Sequence, residues 1–282
     1  MLNPFKRTRD PEEELKALLG NYELPTFSAV AHRVLQELRN PEHTSASVAK
    51  LLSTDPGLST SLLKTVNSAA FGLRNSIDSI PQAVAVMGSS ALESLAVSVA
   101  VGNSLPRNST PEFEFRRFWL ASARRATTAR ALAGRLHPAT AVQSYTAALL
   151  QDMAIPFLAH CKPEQYGPLL RHWHASADNL AELEQSELGW SHPQVAGWIA
   201  EHWGLPESLT AAIAAHHDTD APPEDCPPAV TLVSCLVEND DEPGTEQLIE
   251  TVHARYAIPT DEIDALIRTS FDDADALAQL LD

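Results

Sequence analysis

Apolar residues recur at intervals of three and four positions along most of this chain, which is the spacing of one face of an α-helix. Two of the clearest series are Val30, Val34, Leu35 and Leu38, followed by Leu58, Leu62, Leu63 and Val66. No segment shows the alternation of apolar and polar residues that is typical of a half-buried strand. The pattern therefore predicts an all-α protein of short helices joined by tight connections.

Proline, glycine and capping residues indicate where these helices begin and end. Asp10 followed by Pro11 opens a helix that should end at Gly20. The segment 103–111 is rich in Ser, Pro, Asn and Thr, and we interpret it as a boundary between two packed helical lobes. The predicted divisions are an N-terminal extension helix (1–20), a first lobe (21–105), a second lobe (106–240) and acidic C-terminal helices (241–282).

One predicted helix, over about 142–160, is apolar on nearly every side and must therefore be buried. Pro156 should break or kink it. Its single carboxylate is Asp152, which directly follows the amide of Gln151. Such a carboxylate needs hydrogen bonds, a cation or a metal, because leaving it desolvated and alone is strongly unfavourable. The partner of Asp152 is thus the main question about function.

The composition is that of an ordinary globular protein. Its 282 residues are 44% hydrophobic and 20% charged, no apolar run is long enough to span a membrane, and the first residues lack the apolar core of a signal peptide. The three cysteines are far apart, which favours reduced thiols over disulfides or a zinc ribbon. We expect a cytoplasmic protein without membrane insertion.

The charge is strongly negative and unevenly distributed. The formal net charge of −17 argues against a nucleic-acid partner, and residues 238–282 hold thirteen acids and two arginines. By contrast, residues 116–136 hold six arginines and no acid. On a helix Arg117, Arg124 and Arg135 share one stripe. This stripe is either a solvated face, a face for an anionic ligand or acidic partner, or a surface covered by the acidic tail as a self-inhibitory lid.

The segment Asn67-Ser68-Ala69-Ala70-Phe71-Gly72 follows one of the predicted helices. Asn67 and Ser68 can cap backbone groups, Phe71 can enter the core, and Gly72 allows a positive φ. These properties favour a structural role, and a binding role is the alternative.

Several motifs in this order resemble the HD-related output domain (HDOD) family. In the first half they are Leu24-Pro25, Asp55-Pro56-Gly57-Leu58, Asn67 to Gly72 and Met87-Gly88. In the second half they are Phe118-Trp119, Gln151-Asp152, Glu184 with His192, Trp203 to Pro206, and His216-His217. The resemblance covers about 24–237. It implies an all-α fold whose second lobe is an HD-like bundle, and a role in bacterial signalling.

The resemblance also raises the question of a metal. HD-superfamily proteins use histidine and aspartate side chains to hold divalent metals that activate water against phosphate esters. By resemblance, the expected ligand positions here are occupied by Ala121, Gln151, and Ser234 or Cys235. Four potential ligands remain, namely Asp152, His192, His216 and His217. We interpret these four residues, with Gln151, as a vestigial pocket that is either a buried polar network or a reduced metal site.

These observations favour a non-catalytic regulatory module that acts through contacts with other signalling proteins. A link to nucleotide second messengers is implied by the resemblance alone. We expect no catalytic residue, no resident metal and no cofactor, and the sequence does not fix an oligomeric state. The alternatives are a metal-dependent phosphohydrolase with a reduced ligand set, and a sensor of a small anionic ligand in the vestigial pocket.

Overall fold

The computed structural model describes residues 10–20, 22, 24, 29–38, 40, 42, 44–176, 178–219, 226–237 and 243–279. Predictions for residues 1–9, for Pro25, for 238–242 and for 280–282 lie outside this part of the chain. The described residues form helices and turns, and their sole β-type pairing is an isolated bridge between Thr110 and Phe113. The predicted all-α fold of two packed helical lobes is confirmed.

Six helices precede the predicted boundary between the lobes. They are α1 (Pro11–Leu19), α2 (Ala29–Leu38), α3 (Ser45–Leu52), α4 (Pro56–Val66), α5 (Ile80–Met87) and α6 (Ser89–Ser104). Helices α2 to α5 pack around α6, which also contacts the second lobe. The extension helix α1 packs on a helix of the second lobe through Leu15, Leu18 and Leu19. The two lobes share one continuous apolar core.

The second lobe contains eight α-helices within the described residues. They are α7 (Phe115–Leu136), α8 (Ala141–Leu150), α9 (Ala154–Cys161), α10 (Pro163–Ala175), α11 (Leu180–Leu188), α12 (His192–His202), α13 (Glu207–Ala214) and α14 (Pro228–Leu232). The long helix α7 packs along α8, and small residues such as Ala126 and Ala147 allow the close approach. A short 3₁₀ turn, Val233–Cys235, follows α14.

The central helix is interrupted earlier than the sequence suggests. It divides into α8 and α9 at residues 151–153, whereas the expected break was at Pro156. Pro156 instead lies in the first turn of α9. The backbone N–H groups of a first turn make no hydrogen bond within the helix, so a proline there removes none. The turn between α8 and α9 contains Gln151 and Asp152, so the interruption sets the direction in which the Asp152 carboxylate points.

The acidic C-terminal segment is part of the packed fold. Helix α15 (Pro243–Tyr256) and helix α16 (Thr260–Gln279) follow the second lobe, and α16 runs along α7. Ile263 and Ile267 of α16 are buried in a second apolar core that includes residues of α7, α8 and α14. None of the described helices is both long enough and apolar enough to cross a membrane.

The segment Asn67–Gly72 joins the first lobe to the second. The Asn67 amide donates to the Ile77 carbonyl oxygen and accepts from the Ile77 N–H, both at 2.8 Å, which closes the intervening loop. Phe71 is buried, with its ring 5.2 Å from the Tyr145 ring of α8 and under the guanidinium of Arg130 of α7. These contacts give the motif the structural role of holding the two lobes together.

Gly72 ends this turn in the left-handed region, at φ 57° and ψ 32°. A Cβ added there would meet no atom within 4 Å, so any penalty comes from the backbone alone. We expect Gly72→Val to lower the free energy of unfolding by roughly 1–3 kcal/mol. Urea denaturation measures this change. The control is Gly134→Val in α7, where φ is ordinary and space is open, and it should shift stability by less than about 0.5 kcal/mol. Equal effects at both positions would show that backbone strain at Gly72 is not the cause.

Candidate functional site

A buried ion pair lies at the centre of the second lobe. The Nη2 atom of Arg125, on α7, is 2.8 Å from Oδ2 of Asp152, in the turn between α8 and α9. Arg125 is 2% exposed, and its position on α7 belongs to the face that also carries Phe118, Ser122 and Ala129. The guanidinium therefore provides the cation that a buried carboxylate requires.

Arg125 also reaches the segment that follows α14. Its Nη1 donates to the Leu236 carbonyl oxygen at 2.8 Å, and its Nη2 donates to Oγ of Ser122 at 3.1 Å. One guanidinium thus joins α7, the α8–α9 turn and the end of the Val233–Cys235 turn. These are the parts of the fold in which the HD resemblance places the missing metal ligands.

His192 is fixed by a second buried carboxylate. Glu184, on α11, accepts from the backbone N–H of His192 at 2.5 Å and lies 2.7 Å from its Nδ1. The first contact satisfies a free N–H at the start of α12. Tyr166 of α10 donates its hydroxyl to the other oxygen of Glu184 at 2.5 Å. Glu184 thereby holds both the helix end and the orientation of the imidazole.

His216 and His217 complete the cluster from the turn after α13. His216 donates from Nδ1 to the Ile213 carbonyl oxygen at 2.7 Å, which turns its Nε2 toward Asp152. The Nε2 atoms of His217 and His192 are 3.3 Å apart. One ring nitrogen from each of His192, His216 and His217 lies within 4.8 Å of the others. The structure therefore brings together four of the five residues of the predicted vestigial pocket.

The fifth residue, Gln151, has a different environment. It is fully buried, and neither its amide oxygen nor its amide nitrogen has a hydrogen-bond partner among the described residues. Oδ1 of Asp152 also lacks a well-aligned hydrogen bond, although it lies 3.1 Å from Nε2 of His216 and 3.4 Å from Nε2 of His192. Buried polar atoms without a hydrogen bond are unfavourable. The described part of the chain therefore leaves some hydrogen-bonding capacity at the centre of the lobe unused.

The ionisation of the cluster follows from burial and from opposite charges. Burial opposes ionisation of Asp152, but Arg125, His192 and His216 hold the pKa of its carboxyl well below the usual value. Burial likewise disfavours a charged His192, but Glu184 and Asp152 raise its pKa to about 9. Burial, together with the neighbouring imidazoles, lowers the pKa of His217 to about 2.

The positions at which the resemblance expects other metal ligands offer none. Ala121 is buried and has no donor atom. Ser234 donates its hydroxyl to the Thr231 carbonyl oxygen at 2.8 Å. Burial raises the pKa of Cys235 to about 11, so the thiol keeps its proton at neutral pH.

This donor set does not fit the metal centre that the HD resemblance implies. The expected ligand positions at residues 121, 151 and 234–235 hold no suitable ligand, and the remaining carboxylate already binds a guanidinium. A divalent ion next to Asp152 would also lie beside the permanent charge of Arg125. The three imidazoles are the part of the arrangement that is still suited to an ion.

The arginine stripe is largely occupied from within the chain. Arg124 makes an ion pair with Asp275 of α16 at 3.2 Å and lies over the Phe271 ring. Arg135 makes an ion pair with Glu262 at the start of α16. Arg117 is exposed. The acidic tail therefore covers two of the three arginines, and because α16 also carries core residues it is a packed helix and not a weakly held lid.

Two buried residues of the site were missed in the sequence analysis. Arg125 was not separated from the other arginines of α7, although Phe118, Ser122, Arg125, Ala129 and Leu132 follow helical spacing on the buried face. That periodicity was the available signal. Glu184 was part of the family pattern but received no role, and no sequence feature pointed to its hydrogen bond with Tyr166.

Comparison with known proteins identifies the family. Residues 24–219 match the HDOD domain family, which is most of the chain, so this protein belongs to the HDOD family. An uncharacterized protein of Treponema pallidum (strain Nichols) is 27% identical over 218 residues, which are 75% of this chain and 41% of that protein. The chain therefore spans about two fifths of the length of this curated relative.

Solved structures show the same fold. A candidate signal transduction protein from Marinobacter aquaeolei VT8 aligns with a TM-score of 0.72 and 19% identity, over 96% of this chain and 65% of that one. A candidate phosphohydrolase from Shewanella amazonensis SB2B aligns with a TM-score of 0.70 and 19% identity, over 93% of this chain and 97% of that one. At this level of identity the likeness supports the HD-like helical fold.

The buried pair predicts a large effect for Arg125. Arg125→Met should lower the free energy of unfolding by roughly 3–5 kcal/mol, because it leaves Asp152 buried without its cation. The double variant Arg125→Met/Asp152→Asn should be more stable than Arg125→Met, since neither charge remains. Chemical denaturation of the purified variants measures both values. Arg117→Met on the same helix is the control, with an expected change within about 0.5 kcal/mol. Similar losses for Arg125 and Arg117 would disprove the importance of the pair.

The shifted pKa values of His192 and His217 predict that the free energy of unfolding is largest near pH 6.5. The folded pKa of His192, about 9, exceeds its unfolded value of 6.5, so its stabilisation is complete below pH 6.5 and disappears as pH rises to 9. His217 has the opposite shift, from 6.5 to about 2, so stability falls as pH drops below 6.5. The melting temperature as a function of pH measures both branches.

Between pH 6.5 and pH 9, on the alkaline branch, the free energy of unfolding should fall by roughly 1–3 kcal/mol. His192→Gln should remove it and leave a flatter curve between pH 6.5 and 9. His217→Gln is the matched control, because it should alter the acid branch only. An unchanged alkaline branch in His192→Gln would contradict the charge state given to this imidazole.

Proposed function

We propose that this HDOD protein is a non-catalytic signalling module that regulates other proteins by direct contact. The observation that carries the proposal is the Arg125–Asp152 pair, in which an arginine side chain provides the positive charge that a metal supplies in hydrolytic HD proteins. Membership of the HDOD family and the fold shared with a candidate signal transduction protein support the signalling role.

A guanidinium can replace the charge of a metal but not its chemistry. It neutralises the carboxylate and joins the surrounding helices through fixed N–H donors. It has no coordination position for water and cannot lower the pKa of a bound water molecule, which is the step that makes a hydrolytic nucleophile. The site thus retains the structural contribution of a central cation and loses the catalytic one.

The negative charge of the chain and the limited exposure of the histidine–aspartate cluster support regulation by contact. Its net charge of −17 disfavours nucleic acid, and in the histidine–aspartate cluster His192 and His216 are buried while Asp152 and His217 are partly exposed. An output of this protein therefore depends on a surface recognised by another signalling protein. A link to nucleotide second messengers is part of the proposal and rests on the family alone.

A metal-dependent phosphohydrolase is the second candidate, and one observation favours it. The ring nitrogens of three histidines converge within 4.8 Å. His192 and His216 are oriented through their other nitrogen by Glu184 and by the Ile213 carbonyl oxygen, as metal-binding histidines commonly are. An anionic ligand in the same cluster is less favourable, because Asp152 and Glu184 place two carboxylates there.

Activity assays separate the two candidates. Purified protein incubated with Mn²⁺ or Fe²⁺ should hydrolyse bis-p-nitrophenyl phosphate, cyclic dinucleotides and nucleoside phosphates no faster than buffer does. The physical reason is that the expected ligand positions at residues 121, 151 and 234–235 hold no suitable ligand and that Asp152 is already paired with Arg125, so no carboxylate is free to join the three imidazoles. Metal content, measured by mass spectrometry after dialysis, should be well below one ion per chain. Turnover that requires added metal and is lost in His192→Gln would establish the hydrolase instead.

The same chain can be tested in a bacterium that encodes it. His217→Gln removes a partly exposed imidazole whose polar contact is the 3.3 Å approach to His192, so the fold should persist. If the protein regulates by contact, this variant should reverse the transcript changes that deletion of the gene causes, to the same extent as the wild-type sequence. If a stably folded His217→Gln protein fails to reverse them, the cluster has a chemical role.

A further inference from the structure

A cavity of about 290 Å³ lies away from the histidine–aspartate cluster, where four parts of the fold meet. Its walls come from α4 and α6 of the first lobe, from the first turns of α7, from α8, and from the C-terminal part of α16. This volume is close to the lower end of the range for small-molecule sites, roughly 300–1,000 Å³. It is large enough for one or two fused rings with a short substituent.

The cavity has an aromatic wall that is held in one orientation. The rings of Phe115 and Trp119 stack at 6.1 Å with an interplanar angle of 11°. Gly102 of α6 faces this wall, and a Cβ at that position would lie 2.7 Å from Cη2 of Trp119. Because Gly102 has no side chain, the indole ring of Trp119 can pack directly against α6. The flat surface of the stacked rings favours a planar ligand.

The polar groups that line the cavity are mainly donors and cations. Tyr145 lines the cavity, is 1% exposed and carries a hydroxyl group. Burial raises the pKa of this hydroxyl, which therefore stays protonated and able to donate. Arg107 adds positive charge at the cavity, while the one acid among the described lining residues, Asp275, is paired with Arg124. A positive cavity in a chain of net charge −17 is suited to an anion.

We infer that this cavity binds a planar aromatic or heteroaromatic molecule that carries an anionic group. The ring lies against Phe115 and Trp119, an acceptor atom takes the hydrogen of the Tyr145 hydroxyl, and the anionic group faces Arg107. Because Asp275 and Ala278 of α16 form part of the wall, the ligand also holds this helix against the first lobe. Such a site gives the protein a small-molecule input, and it is independent of whether the histidine–aspartate cluster is catalytic.

Calorimetric titration of the full chain tests the inference with three probes of increasing size. These are benzoate, indole-3-carboxylate and adenosine 5′-monophosphate, with uncharged indole-3-carboxamide as the matched neutral compound. At least one of the acids should bind with a Kd below about 1 mM, and indole-3-carboxylate should bind better than its amide. Amide hydrogen exchange at residues 270–279 should slow in the complex. Absence of binding by all three acids would overturn the proposal.

Three variants locate the binding site. Gly102→Ala should weaken binding at least about tenfold, because the added methyl group displaces the Trp119 ring toward the cavity. Tyr145→Phe keeps the ring and should weaken binding roughly three- to tenfold through the lost hydrogen bond. Arg107→Gln should abolish the preference for carboxylate over amide. The control is Arg33→Gln on α2, an exposed arginine that does not line the cavity and should leave binding unchanged.

Each variant is first compared with the wild type by its melting temperature. If Gly102→Ala fails to fold, Tyr145→Phe and Arg107→Gln decide the result. Binding that is unaffected by both of these variants would place the ligand elsewhere and overturn the proposal.

Discussion

The ion pair between Arg125 and Asp152 is the interaction on which the second lobe depends. A carboxylate at the interrupted centre of a buried helix pair is unfavourable unless a cation lies beside it. The guanidinium provides that cation and extends to the Leu236 carbonyl oxygen, so it fixes the position of the segment after α14 as well. The HD-like arrangement of helices is thereby retained around an organic cation.

The remaining parts of the site are consistent with a structural centre. Glu184 holds the start of α12 and the ring of His192, and Tyr166 in turn holds Glu184. The Asn67–Gly72 motif holds the first lobe against the second through Phe71 and its contact with Tyr145. Tyr145 also lines the cavity between the lobes, so the joint between the lobes and the proposed ligand site share a residue.

The C-terminal helix shows how charge and packing act together. Its acidic residues pair with Arg124 and Arg135, but exposed pairs of this kind contribute about 1 kcal/mol or less each. The buried side chains of Ile263 and Ile267 contribute more, because burying a large aliphatic side chain stabilises a fold more than an exposed ion pair does. Helix α16 is therefore held mainly by its apolar face, and the charges favour its alignment along α7.

Local patterns in the chain were enough to predict the all-α class, most helix limits, the family and the burial of Asp152, because helical spacing, capping residues and short motifs are short-range properties. They also identified the histidines that surround Asp152. Three features became visible in the folded chain alone: Arg125 is the partner of Asp152, the acidic tail is held on α7 by a buried apolar face, and a cavity lies between the lobes. Each of these features joins residues far apart in the chain, and their pairing depends on how helices pack, which local patterns do not specify.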